Sequence, residues 1–516
     1  MKKIYITVAL ALVTGILLGV LLGGNSGRRV RVEYSGWQKL NLILNQVDKN
    51  YVDSVDRKAV TDAAVQAALK ALDPHSVYLP PEPLKEAEDD LAGGFEGVGL
   101  QFNVPNDTAV VLSVIAGGPA EKAGLLTGDR ILKVNERTIA GTKTPQDTMV
   151  RLMRGPKGSK VTLTVGRDAE KIPFELIRDK IPEHCVDAAF MINDTTGYLR
   201  LSKFTRTTFL ECHNAAATLS LQGMKRLIFD VRSNTGGYYD QACNLANDYL
   251  CENSLIVYME GRCRKRDEVR ANGKGAFIDM PLWVLIDDGS ASASEIFAGA
   301  IQDNDRGTIV GRRSFGKGLV QEPIYFTDGS GIRLTVARFY TPSGRCIQKP
   351  YSDDYAYDFY NRYEHGELLS ADSIKVDSSK VFKTVRGRTV YGGGGIIPDV
   401  FVPIDTTRAT PFHIECNRKA AMVRFASRFF DIHRSQLRGL ETFAQVRSYL
   451  EGCDVEGDFL RFAASLGIRP KGREWAESRE YMMPQILGLC ARYSQLGEEA
   501  YYRYILPLDE SVKACL

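Results

Sequence analysis

The chain has 516 residues, 44% of them hydrophobic and 25% charged, which is the ordinary balance of a globular protein. That balance excludes whole-chain disorder, a collagen-like fibre and a polytopic membrane protein, and the length predicts about three or four domains. Sixty-six Lys and Arg against 63 Asp and Glu leave a net charge of +3, which is too small for a general nucleic-acid binder. A basic run at Arg262–Arg266 is followed at once by Asp267 and Glu268, and this mixture favours a solvated loop over a phosphate-binding patch.

The ten cysteines form no CxxC pair and the six histidines form no HExxH motif. We therefore expect neither a metal site nor a cofactor. Spacing leaves open whether Cys251 and Cys263 form a disulfide in an exported chain.

The first 27 residues have the layout of an export signal. Lys2 and Lys3 precede an apolar stretch from Ile4 to about Gly24, long enough to span a bilayer, and no A-x-A cleavage site follows it. We expect residues 1–27 to be a signal sequence or, in preference, an uncleaved membrane anchor. The rest of the chain would then lie on the periplasmic side of a bacterial inner membrane, anchored or released.

The remaining elements change character along the chain. Apolar residues at helical spacing between Tyr34 and Leu72 predict two amphipathic helices, which end before Asp73-Pro74. Short β-rich runs then alternate with glycine turns at Ala109–Val114, Arg130–Val134 and Lys160–Val165. Buried strands of an α/β region are predicted at Arg226–Val231, Leu282–Ile286 and Thr308–Val310. After Pro403 the pattern is helical.

Ser292 is a candidate nucleophile because it lies where a buried strand turns into a helix of small residues, between Leu285 and Ala300. Unpaired backbone N–H groups and the positive end of the helix dipole at that place suit an oxyanion. Ser292 and Glu295 also fit the S-x-x-E capping box, in which the serine is only an N-cap. The segment alone leaves both interpretations open.

Lys317 lies between two glycines after the next buried strand, with apolar residues close by in sequence. Desolvation lowers the pKa of an amine, so a neutral Lys317 can act as the general base that a serine needs. The segment Gly311–Lys317 also matches G-x-x-x-x-G-K of a phosphate-binding loop, but Gly318 stands where Ser or Thr would hold Mg²⁺. We therefore favour the base over an NTPase.

A third segment, Leu227–Gly237, is a strand that ends in the turn N-T-G-G. Gly236 and Gly237 can present backbone N–H groups with no side chain in the way. In isolation such a turn is typical of a simple strand-to-helix connection. Beside the other two segments it predicts a second wall of an oxyanion site.

Three segments in the β-rich region together resemble a PDZ domain. They are a glycine-flanked turn at Phe95–Phe102, P-A-x-x-A-G-L at Pro119–Leu125 and G-D-x-I at Gly128–Ile131. In that fold the C-terminus of a peptide adds as a strand, and N–H groups of the glycine turn hold its carboxylate. The resemblance assigns this binding to Gly97, Val98, Gly99 and Leu100.

The motifs Leu72-Asp73-Pro74-His75-Ser76, N-T-G-G, S-A-S-A-S-E and F-G-K-G-L-V-Q complete a pattern. With the PDZ segments and the export signal, they resemble the carboxy-terminal processing (tail-specific) serine proteases over about residues 35–405. The resemblance makes the middle serine of S-A-S-A-S-E, Ser292, the nucleophile and Lys317 the general base. It makes Gln321 the residue that orients the lysine, takes oxyanion N–H groups from Gly237 and Ala293, and leaves Glu295 as a helix cap.

The same resemblance implies an α+β multidomain fold with a crotonase-like core, a stack of ββα turns. Its parts are the signal sequence or anchor at 1–27, an N-terminal helical region at 28–90, a PDZ domain at 91–180, a serine protease core at 181–404 and a helical C-terminal domain at 405–516. The insertion at about 353–386 and the C-terminal domain exceed the family pattern. They could carry partner docking or oligomerisation, so a homo-oligomer stays open.

The implied activity is that of a serine endopeptidase with a Ser/Lys dyad. It would recognise the free C-terminal tail of a protein substrate through the PDZ domain and cleave peptide bonds through an acyl-enzyme. One alternative is an inactive relative that only binds tails, although Ser292 and Lys317 are both present. The other is a crotonase-type acyl-CoA enzyme, which has no evident use for a PDZ domain or an export signal. Activity that rises towards alkaline pH is expected of a lysine base.

Overall fold

The computed structural model of the protein describes residues 36–516, apart from residues 116, 169, 183, 352–354 and 408. The predicted signal sequence or anchor therefore lies outside the described residues. None of the helices in the described ranges combines the length and the apolar composition that a bilayer span requires.

The chain divides into two compact units, one ending at Ala71 and the other running from Leu72 to the C-terminus. In the described part of the first unit, helices α1 (Gly36–Asn50) and α2 (Arg57–Lys70) confirm the two predicted helices. The side chain of Asp56 caps α2, because it accepts a hydrogen bond from the backbone N–H of Ala59.

The second unit begins with a short strand and a helix, followed by the β-rich region. These elements are β1 (Val77–Leu79), α3 (Pro81–Ala92), β2 (Gly94–Gly97), β3 (Leu100–Asn103), β4 (Ala109–Val114), α4 (Pro119–Ala123), β5 (Arg130–Val134), β6 (Arg137–Thr138), α5 (Gln146–Met153), β7 (Lys160–Arg167), β8 (Glu170–Ile177) and β9 (Asp179–Pro182). Strands β3, β4, β5, β7 and β8 form an antiparallel sheet in that order, with β6 on β5, while β2 pairs with β9. Alternate residues of β7 are buried, which is the period expected of a strand with one face on a core.

The α/β region supplies two further sheets. Its elements are β10 (Val186–Met191), β11 (Thr196–Leu201), α6 (Thr208–Leu221), β12 (Arg226–Asp230), α7 (Tyr239–Asn247), β13 (Leu255–Gly261), β14 (Arg264–Arg270), β15 (Leu282–Ile286), α8 (Ala293–Asp303), β16 (Thr308–Gly311), β17 (Leu319–Tyr325), β18 (Gly331–Tyr340), α9 (Asp358–Glu364), β19 (Val381–Lys383), β20 (Thr389–Tyr391) and β21 (Val400–Phe401). One sheet has the order β10-β11-β12-β15-β16-β21, and the other has the order β1-β18-β13-β14 with β17 on β18. Strands β11, β12, β15, β16 and β21 run parallel.

The parallel strands bring the three predicted segments together. Strand β12 leads into N-T-G-G, β15 into the Ser292 turn and β16 into the loop that carries Lys317. Because these strands are neighbours in the sheet, their carboxyl ends lie along one edge, where α/β proteins commonly bind ligands. The strands themselves are almost fully buried, with Phe229, Val284 and Ile309 at 0% exposure.

The C-terminal region is helical, as predicted. Its helices are α10 (Pro411–Arg418), α11 (Ala421–Arg438), α12 (Phe443–Glu451), α13 (Val455–Ser465), α14 (Glu474–Ala491), α15 (Glu498–Ile505) and α16 (Glu510–Lys513). They enclose an aromatic core around Phe425, Phe430 and Phe459. The last residues return to the parallel sheet, where Leu506 and Val512 pack with the strands.

The prediction of a solvated loop at Arg262–Arg266 is wrong in part. Arg264 to Arg266 begin the exposed edge strand β14, which pairs with β13. The side chains are solvated, but the backbone is held by the neighbouring strand. All ten cysteines, including the exposed Cys251 and Cys263, are free thiols.

Candidate active site

Ser292 is the first residue of the site because its position singles it out from its neighbours. It lies at the N-terminus of α8 with a φ of +55°, is half-buried and lines a cavity. The hydroxyls of Ser290 and Ser294 are fully buried and donate to the carbonyl oxygens of Val231 and Asn234, each at 2.8 Å. The hydroxyls of Ser290 and Ser294 are thus used within the fold, whereas Ser292 lines the cavity and forms the predicted capping box with Glu295.

Glu295 does more than cap the helix. Its fully buried carboxylate accepts four hydrogen bonds, which are from the N–H of Ser292 (2.8 Å), the hydroxyl of Ser314 (2.5 Å) and the N–H groups of Gly316 (2.7 Å) and Lys317 (2.9 Å). Burial raises the pKa of Glu295, although these donors oppose the rise. One carboxylate therefore fixes the backbone of the predicted nucleophile relative to that of the predicted base.

The amine of Lys317 is held by a short chain of hydrogen bonds. Lys317 Nζ donates to Gln321 Oε1 at 3.0 Å, and Gln321 Nε2 donates to the backbone carbonyl of His75 at 2.5 Å. Burial and then the charge of Arg333 lower the pKa of Lys317. Gln321 thus contacts the amine of the predicted base, and the lowered pKa favours the neutral form of that amine.

The double-glycine turn packs directly against the start of α8. A Cβ at Gly236 would lie 2.8 Å from both Ser292 Cβ and the backbone nitrogen of Ala293, and one at Gly237 would lie 2.0 Å from the carbonyl oxygen of Phe204. Only glycine fits both places, and both have positive φ. Two backbone hydrogen bonds join this turn to Phe204: the N–H of Phe204 donates to the carbonyl of Gly236, and the N–H of Tyr238 donates to the carbonyl of Phe204. The N–H of Gly237 takes part in neither bond. The N–H of Ala293, in the first turn of α8, has no intrahelical partner either.

One cavity of about 810 Å³ joins the predicted residues. Its lining includes Ser292, Lys317, Gln321, Gly237 and Ala293. Apolar side chains form much of the remaining wall: Leu84, Leu91, Ile296, Leu319, Val320 and Phe339. In the described part of the chain, no cluster of His, Cys, Asp and Glu could hold a metal ion.

A second, smaller cavity of about 220 Å³ lies between β3 and α5 of the β-rich region. Val98 and Leu100 line it, together with Phe95, Phe102, Val150 and Met153. Of the other predicted residues, Gly97 ends β2 and the carbonyl of Gly99 accepts from Ile115 at 3.0 Å. The guanidinium of Arg154 lies 4.6 Å from the ring of Phe95 in the same lining. The groove is therefore apolar with one cation beside the glycine turn.

Two family models match segments of this chain that contain most of the residues lining the two cavities. Models of the PDZ domain and of Peptidase family S41 match residues 97–177 and 195–356. A carboxy-terminal-processing protease of Bartonella bacilliformis is 38% identical over 314 residues, 59% of this chain and 71% of the relative. The chain belongs to the carboxy-terminal processing protease family.

Two further relatives are also named as C-terminal processing proteases. The carboxy-terminal processing protease CtpA of Bacillus subtilis is 32% identical over 353 residues, 67% of this chain and 75% of its own. A solved photosystem II D1 C-terminal processing protease aligns with 72% of this chain and 87% of its own at 29% identity and a TM-score of 0.39. The carboxy-terminal processing protease described here is thus a peptidase of family S41 with a PDZ domain, and the predicted fold class is confirmed.

Several residues of the site were not predicted. The bridging role of Glu295 was missed because S-x-x-E also has a purely local explanation. Arg333 lines the larger cavity and Arg154 lines the smaller one, yet neither belongs to a motif identified in the sequence. His75 lies in a quoted motif, but its contact with Gln321 joins residues 246 positions apart, which no local pattern reveals.

Proposed function

We propose that this protease is a serine endopeptidase that uses Ser292 as nucleophile and Lys317 as general base. The observation that supports the proposal is the shared cavity, which Ser292, Lys317, Gly237 and Ala293 line together. The lowered pKa of Lys317 supports a neutral amine at the pH of the reaction.

The reaction is acyl transfer to serine and then to water. Lys317 takes the proton of Ser292 as Oγ bonds to the carbonyl carbon of the peptide, and the N–H groups of Gly237 and Ala293 bind the oxyanion. The resulting ammonium returns that proton to the nitrogen of the leaving amine as the C–N bond breaks. A water molecule then attacks the ester, giving a proton to Lys317, which passes it to Ser292 as the acyl group leaves.

The PDZ groove supplies the recognition step. An extended C-terminal tail would pair with β3 while apolar side chains enter the space lined by Val98, Leu100 and Val150. Its terminal carboxylate would bind backbone N–H groups of residues 97–100, with the charge of Arg154 nearby. Substrates are therefore proteins or peptides with a free, apolar C-terminus.

The test compares the purified protease and its Ser292→Ala variant on two versions of one unfolded protein, one ending in apolar residues and one in charged residues. We expect cleavage of the apolar-tailed version, and a loss of at least about 10⁴-fold in the variant because the nucleophile is gone. Val150→Glu places a charge in the apolar groove and should weaken tail binding about tenfold or more.

The matched control for the groove is Thr138→Glu, which adds the same charge at an exposed position outside the groove lining. Cleavage by Ser292→Ala at the parental rate would reject the Ser/Lys mechanism. Equal effects of Val150→Glu and Thr138→Glu would reject tail capture in this groove.

We also propose that the protease is exported to the periplasmic side of a bacterial inner membrane, on the basis of the Lys2, Lys3 and apolar pattern of residues 1–27. Fractionation of cells that express the full chain checks this, since an exported enzyme is degraded by protease added to spheroplasts. Protection of the enzyme in intact spheroplasts would overturn the proposal.

A further inference from the structure

The inserted segment after β18 packs against the loop that carries Lys317. Arg362 of α9 is only 4% exposed, and its guanidinium donates to three successive carbonyl oxygens of that loop. These belong to Arg313 (3.3 Å), Ser314 (2.9 Å) and Phe315 (3.1 Å). In return, the guanidinium of Arg313 donates two hydrogen bonds to Glu367, at 2.5 and 2.6 Å. The insertion therefore fixes the backbone immediately before the proposed base.

A second contact holds the side chain of Phe315. The amine of Lys349, which is 4% exposed, lies 3.9 Å from the ring of Phe315 and 4.2 Å from the ring of Tyr355. The same amine forms an ion pair with Asp358 at 3.0 Å. A cation held between two aromatic rings attracts both, and its attraction is stronger when it is buried, so Lys349 joins the loop to the insertion.

A third contact is connected to the amine of Lys317 through His75 and Gln321. The Tyr355 hydroxyl lies 2.6 Å from Nε2 of His75, whose backbone carbonyl accepts the hydrogen bond from Gln321. Burial and the charge of Lys317 lower the pKa of His75 to about 4, so the neutral ring can accept a hydrogen bond from the Tyr355 hydroxyl at Nε2. The hydroxyl of Tyr355 also accepts from Gln348 at 3.3 Å, and Gln348 accepts from the N–H of Gly318 at 2.9 Å.

We propose that the inserted segment positions the general base, with Tyr355 and Arg362 as its positioning residues. The inference rests on the proposed Ser/Lys mechanism and extends it. The flexible stem of Lys317 must place its amine within a fraction of an ångström of the serine hydroxyl. The insertion meets this need from two sides, since Arg362 holds the loop backbone and Tyr355 holds the partner of Gln321.

The experiment is Tyr355→Phe, which keeps the ring and removes only the hydroxyl. With an apolar-tailed unfolded protein as substrate, we expect kcat to fall about tenfold with KM unchanged, because the base is displaced while binding is untouched. The rate at which a fluorophosphonate labels Ser292 should fall by a similar factor, since labelling needs the base but no tail. Arg362→Lys should act in the same direction, because the three carbonyls are bound through two nitrogens of a planar guanidinium, whereas lysine has a single nitrogen.

The matched control is Tyr357→Phe, which removes an exposed hydroxyl from the same turn and should leave both rates and the melting temperature unchanged. Equal labelling rates and equal kcat in Tyr355→Phe and the parent would overturn the proposal. The proposal would also be overturned if Tyr355→Phe lowered the melting temperature and its labelling rate returned to the parental value at low temperature. The slower labelling would then come from lost stability. Activity in Ser292→Ala would instead overturn the mechanism on which the inference rests.

Discussion

The protonation of Lys317 sets the pH range in which the proposed base can work. Burial and the charge of Arg333 lower its pKa, while the carboxylates of Glu295 and Asp73 raise it. His75, with a pKa of about 4, stays neutral throughout this range. Below the pKa of Lys317 the amine is protonated and inactive, so kcat/KM should rise about tenfold per pH unit and level off above that pKa.

Arg333→Gln tests this account, because it removes a half-buried positive charge from the cavity wall. The pKa of Lys317 should rise, so the rising part of the kcat/KM profile should move to higher pH. At neutral pH, kcat/KM should then fall about tenfold for each unit of that movement. Arg338→Gln, at an exposed position of the same strand outside the cavity lining, is the control and should leave the profile unchanged. Three superimposable profiles would refute the electrostatic role of Arg333.

At the scale of elements, Glu295 joins helix α8 to the loop between β16 and β17. Each of its two oxygens accepts two hydrogen bonds, one pair from Ser314 and Gly316 and the other from Ser292 and Lys317. The two segments follow paired strands and are also joined by the hydrogen bond from the N–H of Phe315 to the carbonyl of Ser290 at 3.0 Å, but Glu295 contacts both Ser292 and Lys317 directly. This buried carboxylate thus couples the stability of the core to the alignment of the site.

Glu295→Gln should therefore cost both stability and activity. The new amide group donates instead of accepting, so two buried donors lose their acceptor, which costs about 2–4 kcal/mol of the free energy of unfolding. Urea unfolding measures this loss, and fluorophosphonate labelling should show a slower Ser292. Glu415→Gln, at an exposed helical ion pair with Arg418, is the control and should change stability by less than about 0.5 kcal/mol. A Glu295→Gln variant as stable and reactive as the parent would show that the carboxylate is dispensable.

Elements with a buried face could be predicted from the sequence, whereas a charged edge strand could not. Strands β4, β5 and β15 begin and end at their predicted residues because each is an apolar run bounded by turns. Strand β14 has charged residues on both faces, and its hydrogen bonds come from β13. Strand β14 forms because β13 pairs with it, and the sequence of β14 alone does not indicate that pairing.

The members of the site could likewise be predicted while their connections could not. Ser292, Lys317 and Gln321 each lie in a short motif that the family resemblance identifies. The roles of Glu295 and Tyr355 depend instead on hydrogen bonds across 22 and 280 positions of sequence. Such contacts arise only when strands of the sheet and the insertion have packed.

At the scale of the whole second unit, the C-terminal domain contacts both the PDZ domain and the protease core. Helix α11 contributes Arg434, which donates to the carbonyl of Gly128 at 2.7 Å, and Arg438, which donates to that of Thr127. Asp431 of the same helix pairs with Arg130 of β5. These contacts lie outside the lining of the smaller cavity, so they leave the proposed site of tail binding uncovered.

The other end of the C-terminal domain is attached to the protease core. Val512 packs in the cluster of the parallel sheet, and Asp509 forms an ion pair with Arg232 at 2.7 Å. Arg232 follows β12, the strand that leads to the double-glycine turn. The C-terminal domain therefore contacts both the PDZ domain and the residue that follows strand β12.

Replacing Arg434 and Arg438 by Met should remove their hydrogen bonds to the carbonyls of Gly128 and Thr127 while keeping an apolar side chain of similar length at each position. Each lost hydrogen bond from a charged group contributes about 1.5–3 kcal/mol, so amide exchange in residues 126–130 should accelerate at least about tenfold by hydrogen–deuterium mass spectrometry. Cleavage that depends on a PDZ-bound tail should fall, because the tail is no longer delivered at a fixed distance, whereas fluorophosphonate labelling of Ser292 should stay the same. Arg447→Met breaks an exposed ion pair with Glu451 and serves as the control. Unchanged exchange at 126–130 in the double variant would mean that the PDZ domain is held by other contacts.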